Sequence, residues 1–161
     1  MTFDIFDYSN PIDNNADGFT DLSLRKRYTF FNKMNFYSLK NPNNPFKLSF
    51  RFMNENRWGG QMNWNESFRG SNQLYGESIL TDRVEVGTSY RFPTKERLTW
   101  NSSYSWHKQK SWYGNNTYNA LQVIGFSQFT WRKKWNEKFN LLSGLALRYN
   151  YYDDNTCLLY T

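Results

Sequence analysis

Apolar and polar residues alternate along six long segments of this chain, and this period of two constrains its fold more than any other feature. In the first segment the apolar positions are Leu24, Tyr28, Phe30, Met34 and Phe36, and the positions between them include Arg25, Arg27, Thr29, Lys33 and Asn35. Successive side chains of a β-strand point to opposite faces, so the pattern predicts strands with one apolar and one polar face. The sequence therefore predicts an all-β fold.

The predicted strands are joined alternately by short and long connections. We place the strands at about residues 22–38, 46–57, 78–92, 97–107, 120–132 and 138–152. Short turns fall at 41–45, 93–96 and 132–138, longer connections at 57–77 and 108–119, and a first loop at 1–21. Such turns join neighbouring antiparallel strands, so we expect a meander. The facing of 120–132 stays open, because Ile124 and Phe126 are out of phase with Leu121, Val123, Phe129 and Trp131.

Strand length and the placement of aromatic residues indicate strands that cross a membrane. The segments are about a dozen residues long or more, whereas strands of globular proteins are most often about 5–6 residues long. A tilted strand crosses a bilayer in about 9–11 residues, so these segments are long enough to do so. Aromatic residues make up 20% of a chain whose mean hydropathy is only −0.87. One group lies near the short turns (Phe36, Tyr37, Phe46, Tyr90, Phe92, Trp100, Trp131, Trp135 and Phe139), and another lies at the opposite strand ends (Trp106, Trp112, Tyr113, Tyr149 and Tyr151). Two such groups are typical of the aromatic girdles of a membrane β-barrel.

The six predicted strands are too few to close such a barrel. Open sheet edges would leave backbone N–H and C=O groups without partners in lipid. We therefore expect residues 1–156 to be part of a larger barrel in the outer membrane, with the lipid as its surroundings. Residues 157–161 depart from the alternation, and we expect them to be a non-native tail.

The charged and nucleophilic residues indicate neither a nucleic-acid-binding protein nor an enzyme. The net charge is +6, but Lys and Arg are spread one or two to a strand instead of forming a patch. The compact basic group, Arg132, Lys133 and Lys134, lies in a predicted short turn. His107 and Cys157 are the only histidine and cysteine, and no Ser-His-Asp set, P-loop or dinucleotide motif is present. We therefore predict no catalytic residues and no nucleic-acid partner.

Residues 13–21 carry the local pattern that points most directly to a ligand. Side-chain oxygens at Asp13, Asn15, Asp17 and Asp21 occupy relative positions 1, 3, 5 and 9, Gly18 occupies position 6, and Phe19 would add its backbone carbonyl from position 7. This spacing is typical of the front of a calcium-binding loop, because Ca²⁺ collects six to eight oxygen ligands from a tight turn. Leu24 stands at position 12 in place of the usual Glu. We predict a structural Ca²⁺ site, with a metal-free Asx-rich turn as the alternative.

Several segments in order resemble the barrel of TonB-dependent outer-membrane receptors, in particular the branch associated with vitamin B12 and ferric siderophores. The resemblance rests on DGFTDL (17–22), FFNK (30–33), NRWGGQM (56–62), FRG (68–70), YGES (75–78), GFSQFTW (125–131) and RYNYYDD (148–154). It covers nearly the whole chain except the last five residues. None of these segments is a catalytic motif.

The resemblance implies a barrel of about 22 strands with an N-terminal plug domain. Such receptors capture a scarce nutrient, here cobalamin or a ferric siderophore, and import it by active transport energised through the TonB complex. The plug would lie outside this sequence, and with it the segment that contacts TonB. A surface lipoprotein is a further partner that the resemblance implies. The ligand-binding residues are not readable from the sequence.

Two other functions remain open at this point. One is a passive porin-like barrel without a plug. The other is a soluble carbohydrate-binding β-domain, in which Trp58, Trp64, Trp112 and Tyr113 would stack on sugar rings.

Overall fold

The computed structural model describes residues 1–156, which form one open sheet of seven antiparallel strands in the sequential order β1 to β7. The strands are β1 (Thr2–Tyr8), β2 (Leu24–Ser38), β3 (Asn41–Gly60), β4 (Gly76–Arg91), β5 (Arg97–Tyr113), β6 (Asn116–Lys134) and β7 (Asn140–Asp154). A single 3₁₀ turn, Glu66–Phe68, interrupts the loop between β3 and β4. The all-β antiparallel meander predicted from the alternation is confirmed. Within residues 1–156 there is no helix that is both long enough and apolar enough to span a membrane.

Strand β1 lies in the segment that the sequence predicts to be a loop, so the prediction of a loop over the whole of 1–21 is wrong. β1 has only seven residues and pairs with the first half of β2, from Thr2 opposite Phe31 to Tyr8 opposite Arg25. Its acidic residues approach basic residues of β2: Asp4 is 3.4 Å from Arg27, and Asp7 is 4.0 Å from Lys26. Each acidic residue and its basic partner are about twenty residues apart in the sequence. The local pattern of a seven-residue segment cannot reveal such a pairing.

The longer connection predicted at 108–119 is a two-residue turn. Strands β5 and β6 continue pairing up to Tyr113 opposite Asn116, which leaves Gly114 and Asn115 as the turn. Gly114 has a φ of +60°, in the left-handed region that two-residue hairpin turns require. The polar residues on either side are therefore paired strand residues rather than a loop.

Strand β3 begins at Asn41, inside the segment predicted to be a turn, and the turn itself is residues 39–40. Pro42 and Pro45 are tolerated there because the pairing of β3 with β4 begins only at Lys47. Residues 42–45 have no register partner on β2 either, so no neighbouring strand needs the N–H groups that proline lacks. The pairing of β2 with β3 shifts register between Phe36 and Ser38, at the same end of the hairpin.

The strand register places apolar residues in continuous rows across the sheet. Paired residues point to the same side, and one row of partners crosses all seven strands: Phe3, Phe30, Phe52, Val84, Trp106, Val123 and Tyr151. We call the side that carries this row the apolar face and the other side the polar face. Leu121, Val123, Phe129 and Trp131 of β6 lie on the apolar face, and Ile124 and Phe126 lie on the polar face, which settles the facing of this strand.

Away from its long-loop end, the apolar face is not covered by a second layer of the described chain. Among residues 1–156 the only buried apolar side chains are Leu24 and Trp64, at the long-loop end of the sheet. By contrast, Leu145 and Leu147 on the apolar face of β7 are 64% and 66% exposed. The sheet therefore has no hydrophobic core of the ordinary globular kind.

Gly76 is the position where added bulk should disturb this packing most. A Cβ at Gly76 would overlap the indole ring of Trp64, whereas a Cβ at Gly125 would meet only the Cβ of Tyr149 at 3.9 Å. We expect Gly76→Ala to displace Trp64 and to lower the free energy of unfolding by about 1–3 kcal/mol, the usual cost of overpacking. Urea titration of both variants checks this, with Gly125→Ala as the matched control. Equal stabilities of the two variants would contradict the packing described for Trp64.

Candidate functional site

The predicted calcium ligands lie in the connection between β1 and β2, at the end of the sheet where the long loops meet. Three of them surround one tight turn. Asp13 accepts hydrogen bonds from the backbone N–H groups of Asp17 (3.2 Å) and Gly18 (2.9 Å) through its two carboxylate oxygens. The Asn15 side chain accepts from Asp17 N–H at 3.2 Å and donates to Asp17 Oδ2 at 2.9 Å. Asp13, Asn15 and Asp17 are therefore brought together.

The backbone of this turn takes the conformation that the motif requires. Ala16 and Gly18 have φ angles of +55° and +82°, both in the left-handed region, which glycine adopts readily and alanine rarely. Asp21 closes the loop from its other end, because its Oδ2 accepts from Asn14 N–H at 2.8 Å. The four side-chain ligands predicted from the sequence thus all take part in the hydrogen bonding of one loop.

The position of Phe19 is set by a neighbouring strand end. Phe19 and Gln61 form an isolated antiparallel bridge, flanked by Thr20 N–H donating to Gly60 O (2.8 Å) and Met62 N–H donating to Gly18 O (2.9 Å). In a bridge flanked in this way the N–H and C=O of the central residue point away from its partner. The N–H of Phe19 accordingly donates to Asp17 Oδ1 at 2.8 Å. Its carbonyl likewise points away from Gln61.

The oxygens of the loop are arranged around backbone N–H groups rather than around a shared centre. Within residues 1–156 no three His, Cys, Asp or Glu side chains are grouped closely enough to hold a metal ion. Each carboxylate offers about four lone-pair positions, and the hydrogen bonds described use one or two of them. Chemically, the loop supplies hard oxygen donors of the type that Ca²⁺ prefers.

The loop at 61–75 is organised by Arg69, a residue to which the sequence pattern assigns no role. Arg69 donates from Nε to Ser78 Oγ (3.0 Å), from Nη2 to Asn56 Oδ1 (3.1 Å) and from Nη1 to Glu66 Oε2 (3.2 Å). Glu66 in turn accepts from Asn56 Nδ2 at 2.8 Å through its other oxygen. The guanidinium also lies 5.4 Å from the ring centroid of Trp112. Such a closed network holds the loop in one position.

The strand residues that receive this loop lie on the apolar side of the sheet. Ser78 is paired with both Trp58 and Trp112, and Asn56 lies two residues before Trp58 on the same side. Trp64 is buried beneath the loop, against Gly76. The loop therefore folds back over the upper end of the apolar face. No feature of the sequence apart from the Trp and Gly residues at 58–64 hints at this arrangement.

Two of the aromatic residues considered as sugar platforms are occupied within the chain. Trp64 is only 8% exposed, and the Arg69 guanidinium covers the ring of Trp112. Tyr75 donates a hydrogen bond from its hydroxyl to Glu77 Oε1 at 2.8 Å. That hydrogen bond to a carboxylate, helped by its negative charge, raises the pKa of the Tyr75 hydroxyl.

No family model, no curated protein and no solved structure matches this chain.

The acidic loop gives a first prediction at this site. Asp17→Ala removes two oxygen donors and the acceptor for the Phe19 N–H, so we expect Ca²⁺ affinity, measured by calorimetric titration of the full chain, to fall by roughly tenfold or more. Asp153→Ala removes the same charge from β7, at the other edge of the sheet, and should leave the affinity unchanged. Wild-type chain that takes up no Ca²⁺ would refute the metal site and leave the Asx-rich turn.

The Arg69 network gives a second prediction. Arg69→Met keeps the aliphatic stem but leaves Ser78, whose side chain is fully buried, without its hydrogen-bond donor. We expect a loss of about 1–3 kcal/mol in the free energy of unfolding and faster proteolysis within 61–75. Arg69→Lys, which keeps the charge without the planar fork, should be intermediate. Unchanged proteolysis of Arg69→Met would show that the loop is held by other contacts.

Proposed function

We propose that this chain is part of the wall of an outer-membrane β-barrel, in a TonB-dependent receptor that imports cobalamin or a ferric siderophore by energy-coupled active transport. The observation that carries the proposal is the uncovered apolar face on long antiparallel strands. Such a face fits contact with lipid, because the hydrocarbon of a bilayer covers apolar side chains without a second layer of protein.

The dimensions of the apolar face support this placement. Apolar residues of β7 extend from Leu141 to Tyr151, a length of about 33 Å at 3.3 Å per residue. A tilt of about 40° reduces this to a height of about 25 Å, which is the height of the apolar band of outer-membrane barrels. The six strands β2 to β7 form this part of the sheet, and at about 4.8 Å apart they are about 24 Å across. A strip of about 33 Å along the strands by 24 Å across them, roughly 800 Å², exceeds the apolar patches of roughly 300–600 Å² typical of soluble monomers.

A row of aromatic contacts at the short-turn end further supports a membrane interface. Ring centroids are 6.2 Å apart for Phe36 and Phe46, 6.3 Å for Phe46 and Tyr90, and 6.1 Å for Trp100 and Phe129. Tyr90 is paired with Trp100, so the rings follow one another across five strands. Aromatic side chains are favoured at the boundary between lipid and water.

The polar face has the composition that a water-filled or plug-filled lumen needs. It carries ion pairs across neighbouring strands, including Arg25 with Glu55 (3.7 Å), Arg27 with Asp4 (3.4 Å) and Arg51 with Glu85 (3.5 Å). These charges would be costly in lipid, where an Arg at the midplane destabilises a barrel by about 2–4 kcal/mol. The two faces thus require different surroundings, lipid on one side and water or a plug on the other. The wall of a barrel separates these two surroundings.

The receptor identity within this class rests on the segment resemblance. Two free sheet edges require further strands for closure, and active transport requires the plug through which the TonB complex acts. The nutrient, with a surface lipoprotein as a further partner, would be received at the long-loop end. There we propose Ca²⁺ as a structural cofactor, bound by Asp13, Asn15, Asp17, the Phe19 carbonyl and Asp21.

The membrane placement predicts opposite responses from two adjacent positions of β7. Leu147 lies on the apolar face and Ala146 on the polar face. In the parent protein we expect Leu147→Arg to lower the free energy of unfolding in phosphatidylcholine vesicles by about 2–4 kcal/mol, and Ala146→Arg to lower it far less. Urea titration in vesicles measures both. In a soluble protein Leu147 would stay exposed to water, so an equally small effect at both positions would overturn the proposal, as would cooperative folding of a monomer without lipid or detergent.

A passive porin is distinguished from an active receptor by the energy requirement. Collapse of the proton gradient in cells expressing the parent protein should stop uptake by a receptor of the TonB-dependent type. Uptake that continues would favour the porin-like barrel. The soluble carbohydrate-binding alternative loses two of its four platform residues, since Trp64 is buried and the Arg69 guanidinium covers the ring of Trp112.

A further inference from the structure

The polar face is divided by charge into two halves along the strands. Its carboxylates all lie in the half nearer the long loops: Asp4, Glu55, Glu77, Glu85 and Asp154. The other half begins at the register row that runs from Lys33 of β2 to Arg148 of β7 and extends to the short turns, and its paired strand residues include no Asp or Glu. We call it the cationic half, and its charged residues are Lys33, Lys47, Arg91, Arg97, Arg132, Lys134 and Arg148.

The cations of this half have no ion-pair partner within residues 1–156, where no carboxylate lies within 4.0 Å of any of them. In the long-loop half, by contrast, Arg25, Arg27 and Arg51 each have one. Arg97 and Arg132 are even direct register partners, and like charges in that arrangement destabilise a strand pair. A surface with charge of one sign raises the local concentration of ions of the opposite sign. The cationic half therefore attracts anions.

A cavity of about 360 Å³ opens on the cationic half, across strands β2, β3 and β4. We call it the Gly87 cavity. The side chains on this face that line it are two cations and two hydroxyl groups, and Gly87 lies between them: Lys33, Lys47, Ser49 and Ser89. Its two other lining residues, Leu48 and Thr88, direct their side chains to the apolar face. All the side chains that form this site thus lie on one face of the sheet.

Gly87 keeps the floor of the cavity open. It is the register partner of Ser49, whose hydroxyl donates a hydrogen bond to the Gly87 carbonyl at 3.2 Å. A Cβ at position 87 would lie 2.6 Å from Ser49 Oγ, so a larger residue would displace this hydroxyl and fill the floor. Lys33 is paired with Ser49, and Lys47 with Ser89. Each lysine therefore stands directly opposite a serine, and an ammonium and a hydroxyl group are available side by side.

This lining fits a small hydrophilic anion. An ammonium group has three N–H donors and a full positive charge, a serine hydroxyl has one donor, and hydrogen bonds from charged donors to oxyanions are short and strong. Among residues 1–156 no apolar side chain on the polar face lines the cavity, so the hydrocarbon part of a lipid would find no contact there. A volume of about 360 Å³ is within the range of small-molecule sites, roughly 300–1,000 Å³.

We propose that the Gly87 cavity binds a small, multiply charged oxyanion, a polyphosphate or a polycarboxylate, between Lys33 and Lys47. The other cations of the cationic half draw the anion to the site and are not needed as direct ligands. The site does not depend on the membrane placement, because every group in it belongs to the polar face. If the sheet is the wall of a barrel, the cavity opens to the lumen, and the anion is a solute that enters the lumen.

The test is calorimetric titration of the parent protein in non-ionic detergent at low ionic strength, with pyrophosphate and with citrate as the probes. We expect Lys33→Gln with Lys47→Gln to weaken binding by roughly tenfold or more. Gly87→Ala leaves the charge unchanged and should also weaken binding, because it fills the floor. Lys33→Arg with Lys47→Arg keeps both charges and should retain most of the affinity. Binding of pyrophosphate alone would support a phosphoryl ligand, and binding of citrate alone a carboxylate ligand.

Matched controls change the opposite face of the sheet. Lys108→Gln with Lys110→Gln removes the same charge from the apolar side of β5, and Gly125→Ala adds the same methyl group where only the Cβ of Tyr149 is near. Both should leave anion binding unchanged. A measurement on the wild-type protein needs no variant: bound citrate or pyrophosphate should protect Lys33 and Lys47 from acetylation, as read by mass spectrometry, and should leave Lys108 and Lys110 as reactive as before.

Three results would overturn the proposal. Wild-type protein that binds neither anion would exclude the site. Equal weakening by the two Gln double variants would reduce the effect to net charge. Binding unaffected by Gly87→Ala, with no protection of Lys33 and Lys47, would place the anion elsewhere on the protein. The barrel proposal is tested separately by Leu147→Arg and Ala146→Arg in vesicles, so either proposal can fail while the other stands.

Discussion

The fold depends on continuous backbone hydrogen bonding between long antiparallel strands held in register. Each of the hairpins from β2 to β7 pairs at least thirteen residues with its neighbour, and side chains repeat with a period of two. A slip of one residue would move every side chain of a strand to the wrong face. Register alone therefore produces a row of apolar residues from Phe3 to Tyr151. Since residues 1–156 form no packed core, this pairing is what separates an apolar side of the sheet from a polar side.

The alternation was enough to predict the fold class and six of the seven strands. The face to which a side chain points depends only on its position along the strand, so the local sequence reveals it. Strand β1 escaped prediction since its stabilising contacts, Asp4 with Arg27 and Asp7 with Lys26, join distant segments. The facing of β6 could not be read from Ile124 and Phe126, whose side is decided by pairing with β5 and β7. At the candidate site, the spacing of Asp, Asn and Gly in the calcium motif predicted residues that the structure brings together in one hydrogen-bonded loop. The Arg69 network was not predictable, because its partners meet only when the loop folds back.

The two ends of the sheet differ in the partners that their charged side chains have. At the long-loop end, carboxylates and amides are satisfied by neighbouring backbone, as Asp13 and Asp21 are, and Arg69 is satisfied by Ser78, Asn56 and Glu66. At the short-turn end, Arg97 and Arg132 are register partners, and within residues 1–156 neither has a carboxylate within 4.0 Å. In the proposed orientation the long-loop end meets the external medium and the short-turn end lies at the lipid headgroups of the inner leaflet.

The position of the loop at 61–75 also bears on access to the barrel. Its anchors, Ser78 and Trp112, lie on the apolar side of the sheet, which in a closed barrel is the outside. The 3₁₀ turn at Glu66–Phe68 would then sit above the surrounding lipid instead of over the entrance. Solute approaching the lumen would pass this loop without obstruction. In the proposed receptor, any restriction of the entrance would therefore come from other loops or from the plug.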